Sequence, residues 1–292
     1  MLDLDPNRPP ATPRDAATLI LLRDVEDAPF EVFLVRRHPK SSFMPSTYVF
    51  PGGKLDALDS EPRLLARTRG RSLEGAAQAL GEPADAARAT ALYVAAIRET
   101  FEEAGVLLAD FGVEADLSAA RARLASGAPF VDVLSELDAY LRLDQLVPHA
   151  RWVTPVAEAR RFDSRFFFSL APAGQLASHD EHETTAGAWL SPGAALAESL
   201  SGAIQLPPPT LRTLENLARH PSSSAVLREA AARLPAYVDP VLLLDGEQVT
   251  LLLPGDPGHE TQVPAIAGPT RFVLEAGRWT SRDAQKQRST VI

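Results

Sequence analysis

Arg98-Glu99-Thr100-Phe101-Glu102-Glu103-Ala104-Gly105-Val106 is the stretch of this 292-residue chain that decides the fold. Side chains three and four positions apart share one face of a helix, so Glu99 neighbours both Glu102 and Glu103. The three carboxylates repel one another, and the carboxyl end of a helix also disfavours negative charge. Arg98 can offset part of this cost by pairing with Glu102 across one turn. A divalent cation such as magnesium, which prefers oxygen ligands, would offset much more.

The sequence on the amino-terminal side predicts that this turn ends a long helix, from about Ala84 to Ala104. Apolar side chains at helical spacing predict a buried stripe behind the carboxylates. The stripe consists of Val94, Ile97, Phe101 and Ala104. Gly105 suits the left-handed position that follows the end of a helix. Without these features, the same glutamates would more often be a solvated acidic helix face, and that alternative stays open from the residues alone.

Composition excludes several classes of protein. Hydrophobic residues make up 45% and charged residues 23% of the chain, which is typical of a soluble globular protein with a substantial core. The formal net charge of -9 argues against general binding to nucleic acid. The absence of cysteine excludes disulfides and thiolate zinc sites. We find no secretory signal and no apolar run that could span a bilayer, so we expect a cytoplasmic protein without a membrane partner.

The distribution of apolar runs predicts an α+β fold with a mixed sheet. Residues 17–22 and 30–35 read as a β-hairpin, and residues 162–170 are aromatic enough for a central strand. Further strands are expected at residues 48–50, 152–155 and 188–190, and further helices at 116–141, 192–200 and 211–219. Residues 241–244 and 249–253 flank Asp245-Gly246 and give the strongest hairpin signal in the chain. We interpret residues 1–292 as one domain with a loose arm (1–15), an insertion (54–83) and a carboxyl-terminal extension (207–292).

Arg98 to Val106 resembles the second half of the sequence box that defines the Nudix hydrolase family. That box is a glycine, five residues, a glutamate, seven residues, and then Arg-Glu-apolar-x-Glu-Glu-x-Gly-apolar. Every charged and glycine position of the second half is matched, and only Thr100 departs from it. Pro51-Gly52-Gly53 resembles the start of the box. The resemblance implies a Nudix-type α/β/α sandwich.

The first half of the box departs from the family pattern. Gly53 and Arg98 are separated by 44 residues, whereas the pattern has 13, so 31 additional residues lie inside the box. The first glutamate has no clear counterpart, and Asp59 and Asp85 are the nearest acidic residues. A split box after the run at residues 43–53 looks like the Nudix subgroup that contains the animal peroxisomal coenzyme A diphosphatase. We therefore expect a helical insertion within the box.

The resemblance implies a metal-dependent attack of water on phosphorus. By the family pattern, magnesium or manganese would be held by Glu99, Glu102, Glu103 and the carbonyl of Gly53. Arg98 would position a glutamate through an ion pair. Glu99 or Glu103 could act as the base, and so could a glutamate from a later loop. Glu183 is a candidate for that role, although a solvated polar turn is an alternative interpretation.

Substrate binding is less well defined by the sequence. Arg36 and Arg37 could meet phosphates, and Arg161 and Arg165 could hold a nucleotide, although a solvated strand end and core packing are the alternatives. The expected partner is a small nucleoside diphosphate derivative, with coenzyme A or its acyl esters first. ADP-ribose, NADH and nucleotide sugars remain alternatives within the enzyme class. A non-catalytic Nudix-fold binding module is the alternative from another class, and a homodimer is possible.

Overall fold

The computed structural model describes residues 11–41, 44–112, 115–180 and 183–284. The strands are β1 (Arg14–Arg23), β2 (Glu31–Arg37), β3 (Tyr48–Val49), β4 (Gly52–Lys54), β5 (Thr68–Arg69), β6 (Ala109–Phe111), β7 (Ala139–Arg142), β8 (Val147–Val153), β9 (Phe162–Leu170), β10 (Thr184–Leu190), β11 (Ala236–Val238), β12 (Val241–Asp245), β13 (Gln248–Leu252), β14 (Arg271–Glu275) and β15 (Arg278–Arg282). The α-helices are α1 (Pro62–Leu65), α2 (Leu73–Leu80), α3 (Ala86–Ala104), α4 (Leu117–Ala125), α5 (Phe130–Glu136), α6 (Pro192–Ser201), α7 (Pro208–Leu217) and α8 (Ser223–Ala231).

A mixed sheet forms the centre of the protein, with strand order β10-β2-β1-β9-β8-β11. The short strands β3 and β4 pair with β2 and β1 at one end of the sheet. β1 runs parallel to β9 along nine residue pairs, whereas β8 is antiparallel to β9. The predicted first hairpin, the central strand and the mixed sheet are therefore confirmed.

Alternating side chains divide the interior into two cores, because successive residues of a strand point to opposite faces. Leu19 and Leu21 of β1 join Phe167 on the face that is covered by α3. Ile20 and Leu22 pack on the opposite face, with side chains of α7 and α8. Helices on both faces of a mixed sheet confirm the predicted α/β/α sandwich.

Helix α3 lies across the sheet as the sequence predicts. Its stripe is fully buried, and the Tyr93 ring meets the Phe167 ring of β9 at 4.6 Å between centroids. The helix begins at Ala86, two residues later than predicted, because the Asp85 side chain accepts a hydrogen bond from the Arg88 amide and caps the first turn. It ends where predicted, since Gly105 adopts a φ of 70°.

Three predicted segments need correction. The arm does not extend to residue 15, because β1 begins at Arg14 and the Asp15 carboxylate binds Arg88; residues 1–10 lie outside the described part. The helical stretch at 116–141 forms two helices and then β7, which pairs with β5 and β6. The insertion is helical as expected, but it also contributes β5 to this small sheet.

The carboxyl-terminal extension has two parts. β11 adds to the central sheet beside β8. The strands β12 to β15 form a separate antiparallel sheet. The predicted hairpin is its first pair, in which Asp245 faces Gln248 across a two-residue turn with Gly246 at a φ of 59°. Along the described residues, we find no helix that combines the length and the apolarity needed to cross a membrane.

Candidate active site

The last turn of α3 meets the glycine turn that precedes the insertion. The Gly52 amide donates a hydrogen bond of 2.9 Å to Glu103 Oε2, and the Glu103 side chain is buried. The Glu99 carboxylate packs against Gly53 so closely that a Cβ at that position would lie 2.3 Å from Glu99 Cδ. The fold therefore brings together residues that are about 50 positions apart in the sequence.

Both glycines are required by close backbone approach. β4 pairs antiparallel with β1, so that Gly52 faces Thr18 and Gly53 faces Ala17. A Cβ at Gly52 would lie 2.5 Å from the Ala17 carbonyl oxygen. A larger residue at either position would separate the strand from β1 or displace Glu99.

Arg98 connects the carboxylates to the insertion. Its guanidinium donates hydrogen bonds to Glu99 at 2.9 Å and to Glu102 at 3.2 Å, and the predicted pair with Glu102 is thus present. It also binds both carboxylate oxygens of Asp59, at 2.7 and 2.9 Å, and the Lys54 carbonyl at 3.1 Å. One arginine therefore holds three acidic side chains and the glycine strand in register.

Asp59 is the residue that the sequence left undecided. It lies six positions after Gly53, which is the spacing of the first acidic residue in the Nudix box, and its side chain is only 1% exposed. It lies in a short 3-10 helix that is capped by Asp56, where its carboxylate accepts a hydrogen bond from the Asp56 amide and faces Arg98. Asp85 instead caps α3. The additional residues of the split box therefore follow Asp59, and the spacing alone could have identified it.

The glutamates have pKa values far above those of exposed carboxyl groups. Burial, together with the charge of Glu99, raises the pKa of Glu103 to about 8, although the Gly52 amide and Arg37 oppose the rise. Burial also raises the pKa of Glu99 to about 7, against the effect of Arg98. The pKa of Glu102 is raised for the same reason. Burial thus opposes the ionisation of these carboxyl groups when no cation is bound.

A pocket with a volume of about 370 Å³ opens beside the cluster. Glu99, Glu102 and Gly53 line it together with Arg37 and Glu183, and the charge of Glu183 acts on both of these glutamates. The rest of the lining is mostly apolar. Its walls include Val49, Phe50, Trp152, Phe162, Phe166, Pro207, Pro208, Pro209, Leu251 and Trp279. The polar residues can receive phosphates and a cation, and the apolar residues can receive an apolar or planar group.

Two of the predicted substrate residues line this pocket. Arg37 is half-buried, and its Nε is buried with no hydrogen-bond partner among the residues that the structure describes. Glu183 is exposed at the pocket wall, and its charge contributes to the raised pKa of all three glutamates of the turn. Arg36 points to the other side of β2, is exposed and does not line the pocket, so its predicted role is corrected.

The predicted roles of Arg161 and Arg165 are also corrected. Alternate residues of β9, such as Ser164 and Phe166, line the pocket, and the residues between them point to the opposite face. Arg165 is 1% exposed, and its guanidinium binds the carboxylates of Asp15 and Glu82 at 2.8 Å. Arg161 donates to two backbone carbonyls, those of Thr154 and Ala11. The neighbouring Arg160 lines the pocket instead.

The carboxyl-terminal extension supplies much of the apolar wall. The proline run at 207–209 begins α7, while Pro240, Leu251 and Trp279 come from or beside the separate sheet. Trp152 of β8 is 4% exposed, and its Nε1 has no hydrogen-bond partner within the described ranges. No local sequence pattern indicates these contacts, because they join segments that are far apart in the chain.

Comparison with known proteins agrees with this geometry. Residues 13–217 match a family model described as the NUDT19 Nudix domain. The acyl-coenzyme A diphosphatase NUDT19 of Xenopus laevis is 29% identical over 226 residues, which cover 64% of this chain and 60% of that protein. The human protein of the same name is 28% identical over 272 residues, covering 78% of this chain and 72% of its own length.

A solved structure is similar in fold. The crystal structure of a Nudix hydrolase from Alicyclobacillus acidocaldarius is 28% identical, with a TM-score of 0.61. The match covers 77% of this chain and 97% of that one. The chain therefore spans nearly all of this bacterial structure, but less than two thirds of the length of the Xenopus relative.

Proposed function

The chain belongs to the Nudix hydrolase family, and on that premise we propose that it hydrolyses the diphosphate linkage of a small nucleoside diphosphate derivative. Water attacks one phosphorus, the bridging P–O bond breaks, and the departing phosphate oxygen takes up a proton. The observation that carries the proposal is the pocket that Glu99 and Glu102 line together with Arg37 and Glu183.

The residues present fit a divalent cation. Glu99, Glu102 and Glu103 supply hard oxygen ligands, as magnesium and manganese prefer, and the Gly53 carbonyl lies in the same wall. Across the described ranges, no three acidic or histidine side chains are yet grouped closely enough to ligate one ion. Arg98 explains this, because it draws Glu99 and Glu102 toward Asp59.

A bound cation would neutralise the diphosphate and lower the pKa of the attacking water. Burial is the main cause of the raised pKa of Glu99 and Glu103, and the repulsion between them adds to it; a bound cation would offset both by favouring the ionised carboxylates. Arg98 acts as a positioning residue, since its ion pair with buried Asp59 anchors it beneath the glutamates. Arg37 contributes a buried donor that a phosphate oxygen could satisfy.

Glu183 is the residue that we assign to accept the proton of the attacking water. A metal-bound glutamate has a lowered pKa and is a poor base, which argues against Glu99 and Glu103 in the loaded site. Glu103 is also buried against Gly52 and does not line the pocket. Glu183 lines the same pocket as Glu99 and Glu102, and its charge acts on both. A Glu183→Gln variant should lose most of its kcat at a nearly constant KM, whereas a wild-type kcat would overturn the assignment.

Coenzyme A or an acyl-coenzyme A is the substrate that we propose first. The support is the acyl-coenzyme A diphosphatase activity for which the frog and human relatives are named, together with the apolar residues that line the pocket. An acyl-coenzyme A has a polar phosphorylated adenosine at one end and an apolar acyl chain at the other. The polar and the apolar residues of the pocket could each contact one of these ends. Trp152 could donate its indole N–H to an acceptor on the distal group.

A panel of diphosphates with magnesium or manganese tests the proposal. Release of a 3′,5′-phosphorylated adenosine from coenzyme A, with a lower KM than for ADP-ribose, NADH or nucleotide sugars, is the expected result. A preference for one of the other three substrates would overturn the substrate but keep the reaction. Failure to hydrolyse any member would overturn the enzymatic function and leave a binding module.

A further inference from the structure

A second pocket lies at the other end of α7 from the candidate active site. Its volume is about 570 Å³, and its floor is formed by His149 of β8 and Phe168 of β9. Arg219, His220 and Arg233 lie around it. None of these residues lines the first pocket, so a ligand here would not depend on the hydrolytic site.

His149 brings an unused hydrogen-bond donor to this floor. Its side chain is 4% exposed, and burial lowers its pKa to about 3, so the ring is neutral near neutral pH. Nδ1 lies 3.4 Å from Arg233 Nη2. Arginine can only donate, so Nδ1 must accept and the ring proton must sit on Nε2. That buried Nε2–H has no hydrogen-bond partner among the described residues.

The charges around the pocket are predominantly positive. Arg233 donates only long hydrogen bonds, of 3.3 and 3.4 Å, to the carbonyls of His149 and Leu234. Neither Arg233 nor Arg219 forms an ion pair with any carboxylate in the described part of the chain. Glu229 is the acidic residue in the wall, and its Oε2 already lies 3.0 Å from His220 Nε2. Both arginines are exposed, and the charge of Arg219 also acts on Glu215 of α7, whereas Arg233 remains without a carboxylate partner in the described part of the chain.

We propose that this pocket binds the oxyanion group of a small ligand, a phosphate or a carboxylate. An oxygen of that group accepts the Nε2–H of His149, and the negative charge lies beside Arg219 and Arg233. A water molecule could accept the same hydrogen bond, but it would bring no negative charge to Arg233. The apolar part of the wall, with Phe168 and Ile266, would contact the remainder of the ligand.

Histidine-ring NMR of the full chain tests the proposal directly. Inorganic phosphate and acetate are titrated separately in the presence of EDTA, with ionic strength held constant by sodium chloride. EDTA removes divalent cations that could bring phosphate to the first pocket. We expect at least one anion to shift the His149 Nε2 resonance saturably. No saturable shift with either anion would overturn the proposal.

Matched variants identify the site of binding. Arg233→Gln and Arg219→Gln should each weaken binding about tenfold, the effect of losing a charge-assisted contact of about 1.4 kcal/mol. Arg228→Gln is the control, because Arg228 is exposed on α8 and does not line the pocket. Equal affinity in Arg233→Gln and Arg228→Gln would contradict the assignment. So would loss of binding in Arg37→Gln, because Arg37 lines only the first pocket.

Discussion

Replacing Asp59 by asparagine should both destabilise the protein and weaken its binding of magnesium. The carboxylate is 1% exposed and binds Arg98 through two hydrogen bonds of 2.7 and 2.9 Å. Breaking a buried ion pair by removing one partner costs about 3 to 5 kcal/mol. Asparagine keeps one oxygen acceptor, so we expect a loss near the lower limit, about 3 kcal/mol in the free energy of unfolding.

The effect on metal binding follows from the freed charge of Arg98. Without Asp59, the guanidinium can pair more closely with Glu99 and Glu102, which it already contacts at 2.9 and 3.2 Å. If roughly half of the lost energy is recovered in this way, the glutamates would hold a cation about tenfold more weakly. The half-saturating magnesium concentration should therefore rise about tenfold.

Urea unfolding and magnesium-dependent turnover measure the two effects. Asp85→Asn is the matched control, because Asp85 is the other acidic residue that the sequence allowed for this role. It caps α3, and asparagine caps a helix about as well as aspartate. The control should change neither quantity. If Asp59→Asn has the magnesium dependence of the wild type, Arg98 is not positioned by Asp59 and the reasoning fails.

Three further predictions concern the same pocket. Gly53→Ala should lower kcat/KM about 100-fold, because the new Cβ would meet the Glu99 carboxylate and displace it by about 1 Å. Gly193→Ala is the control and should have normal activity, because a Cβ at Gly193 would meet open space. In urea unfolding, the free energy of unfolding of the metal-free protein should fall as pH rises from about 5 to 8, because the pKa of Glu103 is about 8 in the folded protein and lower in the unfolded chain. The Glu103→Gln variant should show a smaller dependence on pH. An unchanged dependence would contradict the assignment of this effect to Glu103. Trp152→Phe should raise KM about tenfold at constant kcat if a substrate acceptor satisfies the buried indole N–H, whereas a normal KM would exclude that contact.

Local features of the chain were predictable because neighbouring residues determine them. The apolar stripe, the three glutamates and Gly105 specify one helix, its buried face and its end, and the structure has all of them. The pairing of Arg98 with Glu102 also follows from helical spacing. Counting residues from Gly53 would also have favoured Asp59 over Asp85 as the counterpart of the first glutamate of the Nudix box, since Asp59 stands at the family's spacing.

Longer-range features were not predictable in the same way. Arg165 stands among aromatic residues in a strand, and only the direction of its side chain shows that it serves a buried ion-pair network and not the pocket. A shift of one residue reverses this direction, so Arg160 lines the pocket while Arg161 does not. The contribution of Trp279 depends on how a separate sheet packs against the proline run, which no local pattern specifies.

Manganese binding and turnover in the same samples test the central claim most directly. Glu102→Gln removes one carboxylate that is 35% exposed, so the fold should survive, and Glu74→Gln on α2 is an exposed control of equal charge. On the best diphosphate of the panel, wild type and Glu74→Gln should bind manganese and turn over alike. Glu102→Gln should bind more weakly and lose at least about 100-fold in kcat. Wild-type binding and turnover in Glu102→Gln would contradict a hydrolytic metal site at this helical turn.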